Sequence, residues 1–159
     1  MNVKKIIIGI DNSNVAEQAA KYGFELAAVF KAEVGLVHVV EPAAMPLTGH
    51  VDPMLGTSMQ DMGAVDAELM DIQSDASKKL VDRVAEEFGA GTSVKHFTEF
   101  GDTADGIIQA CAEFNADLIV VGTHSRTGLD RLLMGSVAEH VVRHSVVPVF
   151  VVPLPGEQE

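Results

Sequence analysis

The segment over residues 117–152 constrains the fold of this chain more than any other. It opens with a short apolar run, 118–121, that ends at Gly122, and such a run is typical of a strand buried on both faces. A polar loop, residues at helical spacing and a second apolar run over 146–152 follow. A glycine loop between a strand and a helix can present backbone N–H groups to a phosphate. The segment therefore predicts strand, loop, helix and strand, with an anion site at the loop.

The start of the helix in this segment has two interpretations. Apolar residues recur at helical spacing from Leu129 to Val141, which would extend one helix across Gly135 and Ser136. A glycine inside a helix costs about 1 kcal/mol relative to alanine, so something should offset it. A helix that begins at Gly135 and Ser136 would instead direct its first backbone N–H groups, and the Ser136 hydroxyl, at a phosphate.

The rest of the chain alternates apolar runs with helical patterns in the same way. Such alternation predicts a single α/β domain built on a parallel, doubly wound, five-stranded sheet. Residues 41–64 break the pattern with three prolines and three glycines, and they are expected to be irregular or mobile. The other predicted strands are 3–10, 34–40 and 94–100. Of the other predicted helices, the first is capped by Ser13 or Asn14, and a short one runs from Asp102 or Thr103 to about 114. Between them a long helix is predicted from an apolar stripe at Val65, Leu69, Ile72, Ala76, Leu80, Val84 and Phe88.

Composition excludes several classes of function. The net charge of −12 argues against nucleic-acid binding, which needs clustered lysine and arginine. A single cysteine, Cys111, excludes an intrachain disulfide framework, and its apolar neighbours predict a core residue. No run approaches the ~20 apolar residues of a membrane span, and no signal peptide is visible, so the expected compartment is the cytoplasm.

The loop and its flanks resemble the nucleotide loop of the ATP-binding universal stress proteins. The family pattern is Gly, two residues, Gly, nine residues, Gly, then Ser or Thr; here Gly122 is followed by Ser125, then by Gly135 and Ser136, so serine replaces the second glycine. The similarity extends to the first strand and its acidic end, 6–11. It implies a Rossmann-like fold, similar to adenine-nucleotide alpha-hydrolases, with strand order 3-2-1-4-5 over residues 1–153 and a short tail at 154–159.

The resemblance also implies where a ligand binds. In open α/β sheets ligands bind at the C-terminal ends of strands where the winding reverses, and in the family's order the strands ending at Asp11 and Gly122 are neighbours there. Asp11 would accept hydrogen bonds from ribose, and Val39 would lie beside adenine. The expected cofactor-binding residues are Gly9, Ile10, Asp11, His38, Val39, Val121, Gly122, Thr123, Ser125, Arg126, Gly135, Ser136 and Val137.

Three of these residues have a second interpretation. Asp11 could belong to the cap of the following helix, and Arg126 could be a solvated surface charge rather than a phosphate ligand. Ser125 either narrows the space near the phosphates or adds a hydroxyl donor, with Gly128 supplying the flexibility of the loop.

A metal site on the last helix is disfavoured. His140 and His144 stand at i, i+4, which is metal-ligand spacing, but no glutamate lies between them in the zinc-protease pattern. Structural or surface histidines are the preferred interpretation. Any metal is expected to be Mg²⁺ or Mn²⁺ carried by the triphosphate.

The expected function is an ATP-binding regulatory protein of the stress response with an unknown protein partner. The sequence has no Walker loop and no nucleophile elbow, and no residues resembling a general acid–base pair are expected in the crevice, so at most a weak ATPase is expected. A nucleotide-free scaffold or chaperone-like protein and an ATP-dependent enzyme are the alternatives. By resemblance the protein forms a homodimer through its last strand, at Val147, Val149, Phe150 and Val151.

Overall fold

The computed structural model describes residues 2–41, 59–123 and 134–153, and their side chains except those of 59–68. In these ranges strands and helices alternate, and each apolar run of the sequence contains a strand. The last run is predicted to be a strand over 146–152, but only Val149–Val152 forms one, and Val146 and Val147 lie in a bend before it. The elements are β1 (Lys5–Gly9), α1 (Asn14–Phe30), β2 (Glu33–Val40), α2 (Met59–Phe88), β3 (Val94–Phe100), α3 (Thr103–Phe114), β4 (Leu118–Gly122), α4 (Ser136–His144) and β5 (Val149–Val152).

The five strands form one parallel sheet in the order β3-β2-β1-β4-β5, which confirms the predicted fold class and strand order. β1 lies at the centre and pairs with β2 on one side and β4 on the other. The chain therefore winds outward in both directions from β1. β3, which has mixed faces, and β5, which follows Pro148, are the two edges, as their sequences indicate.

Two helix layers cover the sheet. α1 and α2 pack on one face, and α3 and α4 pack on the other, each pair over a cluster of buried apolar side chains. The buried face of α1 carries mostly small residues, among them Ala19, Ala20 and Gly23, which permit close contact with the sheet. A Cβ atom on Gly23 would lie 2.4 Å from Cδ1 of Ile8. Cys111 lies on the buried face of α3, where burial raises the pKa of its thiol, so its interpretation as a core residue is confirmed.

The long helix α2 differs from the sequence expectation in two ways. It begins at Met59, so residues 59–64 are helical rather than part of an irregular segment, and Gly63 lies inside the helix. Glycine weakens a helix by only about 1 kcal/mol, which the other helix-forming residues here can offset. The predicted apolar stripe is wrong at Leu69, Ile72 and Ala76, which are exposed, because the face packed on the sheet instead carries Ser77 and Val81.

None of the described helices is long and apolar enough to cross a membrane.

Candidate functional site

A cavity of about 440 Å³ opens at the C-terminal ends of β1, β2 and β4, where the winding direction of the chain reverses. This is the position at which open α/β sheets bind ligands. Of the predicted site residues, Ser125 and Arg126 lie outside the described part of the chain. All the others line the cavity: Gly9, Ile10, Asp11, His38, Val39, Val121, Gly122, Thr123, Gly135, Ser136 and Val137.

Sequence reasoning missed several lining residues. Glu41 follows directly after β2, and this position at the C-terminal end of a strand could have identified it as a lining residue. Thr103, at the start of α3, gave no such signal because only the fold brings it beside β2. The residues missed are Asn12, Ala16, Val40, Glu41, Thr103, Ile107 and Ala138.

On the β2 side of β1, the cavity wall includes backbone groups of β2 that extend past the end of β1. We call this part of the wall the base end. β1 ends at Gly9, opposite Val37, and the next N–H, of Ile10, donates to the Val37 carbonyl at 2.9 Å. On the other edge of β2, the carbonyl of Val40 accepts from the N–H of Gly101 at 3.1 Å. Backbone groups of successive strand residues point to opposite edges. The N–H and C=O of Val39 therefore face the β1 side, past the end of that strand, where the cavity lies.

On the β4 side, the cavity is bounded by the start of α4, which we call the phosphate end. Gly135 is the N-cap residue, with an extended backbone (φ −62°, ψ 153°), and its N–H donates to the Thr123 carbonyl at 2.6 Å. The described part of α4 therefore begins at Ser136, the second of the two interpretations above. No described side chain caps its first turn, and that turn lines the cavity. Uncapped N–H groups and the helix dipole together favour an anion there.

At the end of β1, between these two ends, lies Asp11. Its Oδ1 atom accepts from the Ser13 N–H at 2.7 Å, and the Ser13 hydroxyl in turn caps α1 by accepting from the Ala16 N–H at 3.2 Å. Asp11 therefore supports the turn that starts α1 and also lines the cavity, so both of its interpretations are compatible with its position. The tight turn holds the carboxylate in place without a ligand.

The two glycines at the ends of β1 and β4 are required by packing. A Cβ atom on Gly122 would lie 2.4 Å from Cγ1 of Val15 in α1. A Cβ atom on Gly9 would lie 3.0 Å from Cδ1 of Ile107 in α3. The helices approach the strand ends this closely from opposite faces, so neither glycine by itself indicates a ligand.

The described lining carries three titratable side chains, those of Asp11, His38 and Glu41. Burial lowers the pKa of His38, and the charge of Asp11 opposes that shift. The Thr103 hydroxyl donates to Oε1 of Glu41 at 2.5 Å, which ties the end of β2 to the start of α3. The described lining includes no lysine or arginine, and the predicted cationic ligand Arg126 lies outside the described residues.

The histidine pair of α4 lies outside this cavity. The rings of His140 and His144 stack with their centroids 4.0 Å apart, and Nε2 of His140 lies 3.1 Å from Asp105. Nδ1 of His144 bonds to the His140 carbonyl at 2.9 Å. Among the described residues, no group of three or more potential ligands could hold a metal ion.

Comparison with known proteins agrees with this fold. The model of the universal stress protein family matches residues 2–153. Universal stress protein MJ0531 of Methanocaldococcus jannaschii is 37% identical over 157 residues, which cover 98% of this chain and 85% of that protein. The solved structure of hypothetical protein MJ0577 has a TM-score of 0.77 at 26% identity and covers 96% of each chain. A universal stress protein from Archaeoglobus fulgidus was solved in complex with dAMP. It has a TM-score of 0.62 at 19% identity, and the match covers 96% of this chain and 99% of that one. At this identity the similarity concerns the fold alone.

Proposed function

Because the chain belongs to the universal stress protein family, we propose that it binds ATP in the cavity and acts as a nucleotide-dependent regulatory dimer in a stress response. One observation carries the proposal: an open backbone pair at Val39 and an uncapped helix start at Ser136 lie on either side of β1, on the wall of the same cavity. The volume of about 440 Å³ lies within the usual range for small-ligand sites, roughly 300–1,000 Å³.

Each part of ATP has a matching group on this wall. Adenine would pair with the N–H and C=O of Val39 at the base end. Ribose hydroxyls would donate to Asp11, whose second oxygen has no partner among the described residues. The phosphates would lie on the first turn of α4, with the Ser136 hydroxyl as a further donor. The Archaeoglobus protein, which shares this fold, was solved in complex with dAMP.

A divalent cation is proposed to enter with the triphosphate. The described lining contains two carboxylates, those of Asp11 and Glu41, and no cationic side chain. The whole chain has a net charge of −12. Mg²⁺ or Mn²⁺ would reduce the repulsion between these carboxylates and the phosphates. Slow or no hydrolysis is proposed, since the described lining offers no lysine to stabilise a transferring phosphoryl group.

Calorimetric titration of Mg²⁺–ATP into nucleotide-stripped protein tests this proposal. Micromolar or tighter binding is expected, with a one-to-one stoichiometry per chain. Absence of binding by a folded protein would overturn the proposal and favour a nucleotide-free scaffold.

Variants at Gly135 test the phosphate end specifically. Gly135→Asp places a carboxylate at the helix start, where it would cap the free N–H groups and repel phosphate, so ATP binding should be lost. Gly135→Asn has the same size and capping ability without the charge, and it should weaken binding much less. Equal ATP affinities of these two variants would contradict the assignment of the phosphates to the start of α4.

A further inference from the structure

We infer that Glu41, held in place by Thr103, selects adenine over 6-oxo purines by accepting a hydrogen bond from the exocyclic amino group. The inference rests on the proposed nucleotide site and adds a specificity-determining pair to it. Both residues line the cavity, and neither belongs to the glycine loop pattern.

The position of Glu41, directly after the end of β2, supports this role. Val39 presents its N–H and then its C=O to the cavity, and the side chain of Glu41 comes two residues further on. Side chains two residues apart on an extended strand share a face. Adenine that pairs its N1 and N6 atoms with the Val39 backbone has one N6 hydrogen left, directed further along the strand. In chain order, the first side-chain carboxylate of the cavity lining after Val39 is that of Glu41, and we assign it as the acceptor for this hydrogen.

The Thr103 hydroxyl fixes this acceptor. Its bond to Oε1 of Glu41, at 2.5 Å, joins residues 62 positions apart and reduces the freedom of an otherwise exposed side chain. Oε2 has no partner among the described residues, so it remains available to a ligand. Thr103 itself is held by the start of α3, where Asp102 caps the helix by accepting from the N–H groups of Ala104 and Asp105.

The chemistry of the carboxylate gives the direction of selectivity. An ionised carboxylate accepts hydrogen bonds and donates none. It therefore attracts the amino group of adenine and repels the O6 carbonyl of hypoxanthine. Sites that hydrogen-bond a substrate group discriminate strongly against analogues that lack it, since a polar group is then left unpaired.

The test compares ATP with inosine triphosphate by calorimetry, in the natural protein and in Glu41→Ala. Natural protein should prefer ATP, and Glu41→Ala should lower the ATP-to-ITP affinity ratio by about tenfold, the usual order for a hydrogen bond to a charged acceptor. Both ligands carry the same phosphates, so the loss of one negative charge cancels in the ratio. Glu33→Ala removes a carboxylate from the opposite end of β2 and should leave the ratio unchanged.

Thr103→Val provides a second variant of similar size. It keeps the carboxylate but removes its support, so the ratio should fall part of the way. Natural protein that binds ATP, with the same ratio in Glu41→Ala, would overturn the selectivity inference alone. Natural protein that binds neither nucleotide would overturn this inference together with the proposed site.

Discussion

Nδ1 of His38 lies 2.9 Å from the hydroxyl oxygen of Ser77, which connects the cavity wall on β2 to the long helix α2. The same hydroxyl lies 3.0 Å from Oγ1 of Thr98 on β3. Ser77 is fully buried, and among the described residues it is the one buried polar side chain of the core. The three side chains form a hydrogen-bonded chain through an otherwise apolar layer.

Removing Ser77 should destabilise the fold. Ser77→Ala leaves both His38 and Thr98 without their partner beneath α2, and an unsatisfied buried group costs about 1–3 kcal/mol. The free energy of unfolding, measured with denaturant, should fall by that amount. Ser74→Ala, an exposed serine on the same helix, is the matched control and should change stability little. An equal loss in both variants would contradict a special role for the buried hydroxyl.

Acidification should also weaken the fold through His38. Burial lowers the pKa of His38 below its ordinary value of 6.5, so between those two values the unfolded chain binds more protons than the folded one. This contribution to stability is therefore complete above pH 6.5 and is lost as the pH falls toward the lowered value. His38→Asn keeps an amide for Ser77 and does not titrate. The stability advantage of the natural protein over the variant should shrink on acidification; parallel pH curves would refute the effect.

The two strand-end glycines should respond differently to alanine. In Gly122→Ala the new Cβ would meet Cγ1 of Val15 at 2.4 Å and its carbonyl oxygen at 3.2 Å, where neither a β-branched side chain nor backbone moves easily. A loss of about 1–3 kcal/mol is expected, as for other overpacked sites. Gly9→Ala meets the flexible end of Ile107 at 3.0 Å and should cost less. Thermal unfolding of both variants checks the order, and the reverse order would contradict it.

The edge strand β5 should mediate the proposed dimer. Phe150 is 41% exposed on this strand, whose outer edge has no partner within the described chain. An exposed apolar edge tends to pair with another chain. Phe150→Asp should yield monomers by light scattering. Ile72→Asp, at a 60% exposed apolar residue of α2, should leave the mass unchanged. A monomeric natural protein, or a dimer that tolerates Phe150→Asp, would exclude this interface.

Local patterns in the sequence were sufficient to predict the strands and most of the helices. The apolar runs that became β1, β2 and β4 are buried on both faces, so their composition alone marks them. The ends of these strands carry small and polar residues, and a parallel sheet brings all such ends to one edge. For that reason the predicted site residues in the described chain converge on one cavity. The strand order was predicted only from the family resemblance, because the apolar pattern of a strand does not indicate which strands lie beside it in the sheet.

Only the tertiary structure decided the contacts between distant segments. The face that α2 packs on the sheet depends on the position of β2 and β3, so Ser77 was not recognised as a core residue. Glu41 and Thr103 meet because α3 begins beside the end of β2, although 62 positions separate them in the chain. The periodicity of apolar residues is a property of residues close together in the chain, and it determines where helices and strands form. Side-chain partners depend on how the elements pack, and in this protein packing placed the polar groups that surround the cavity.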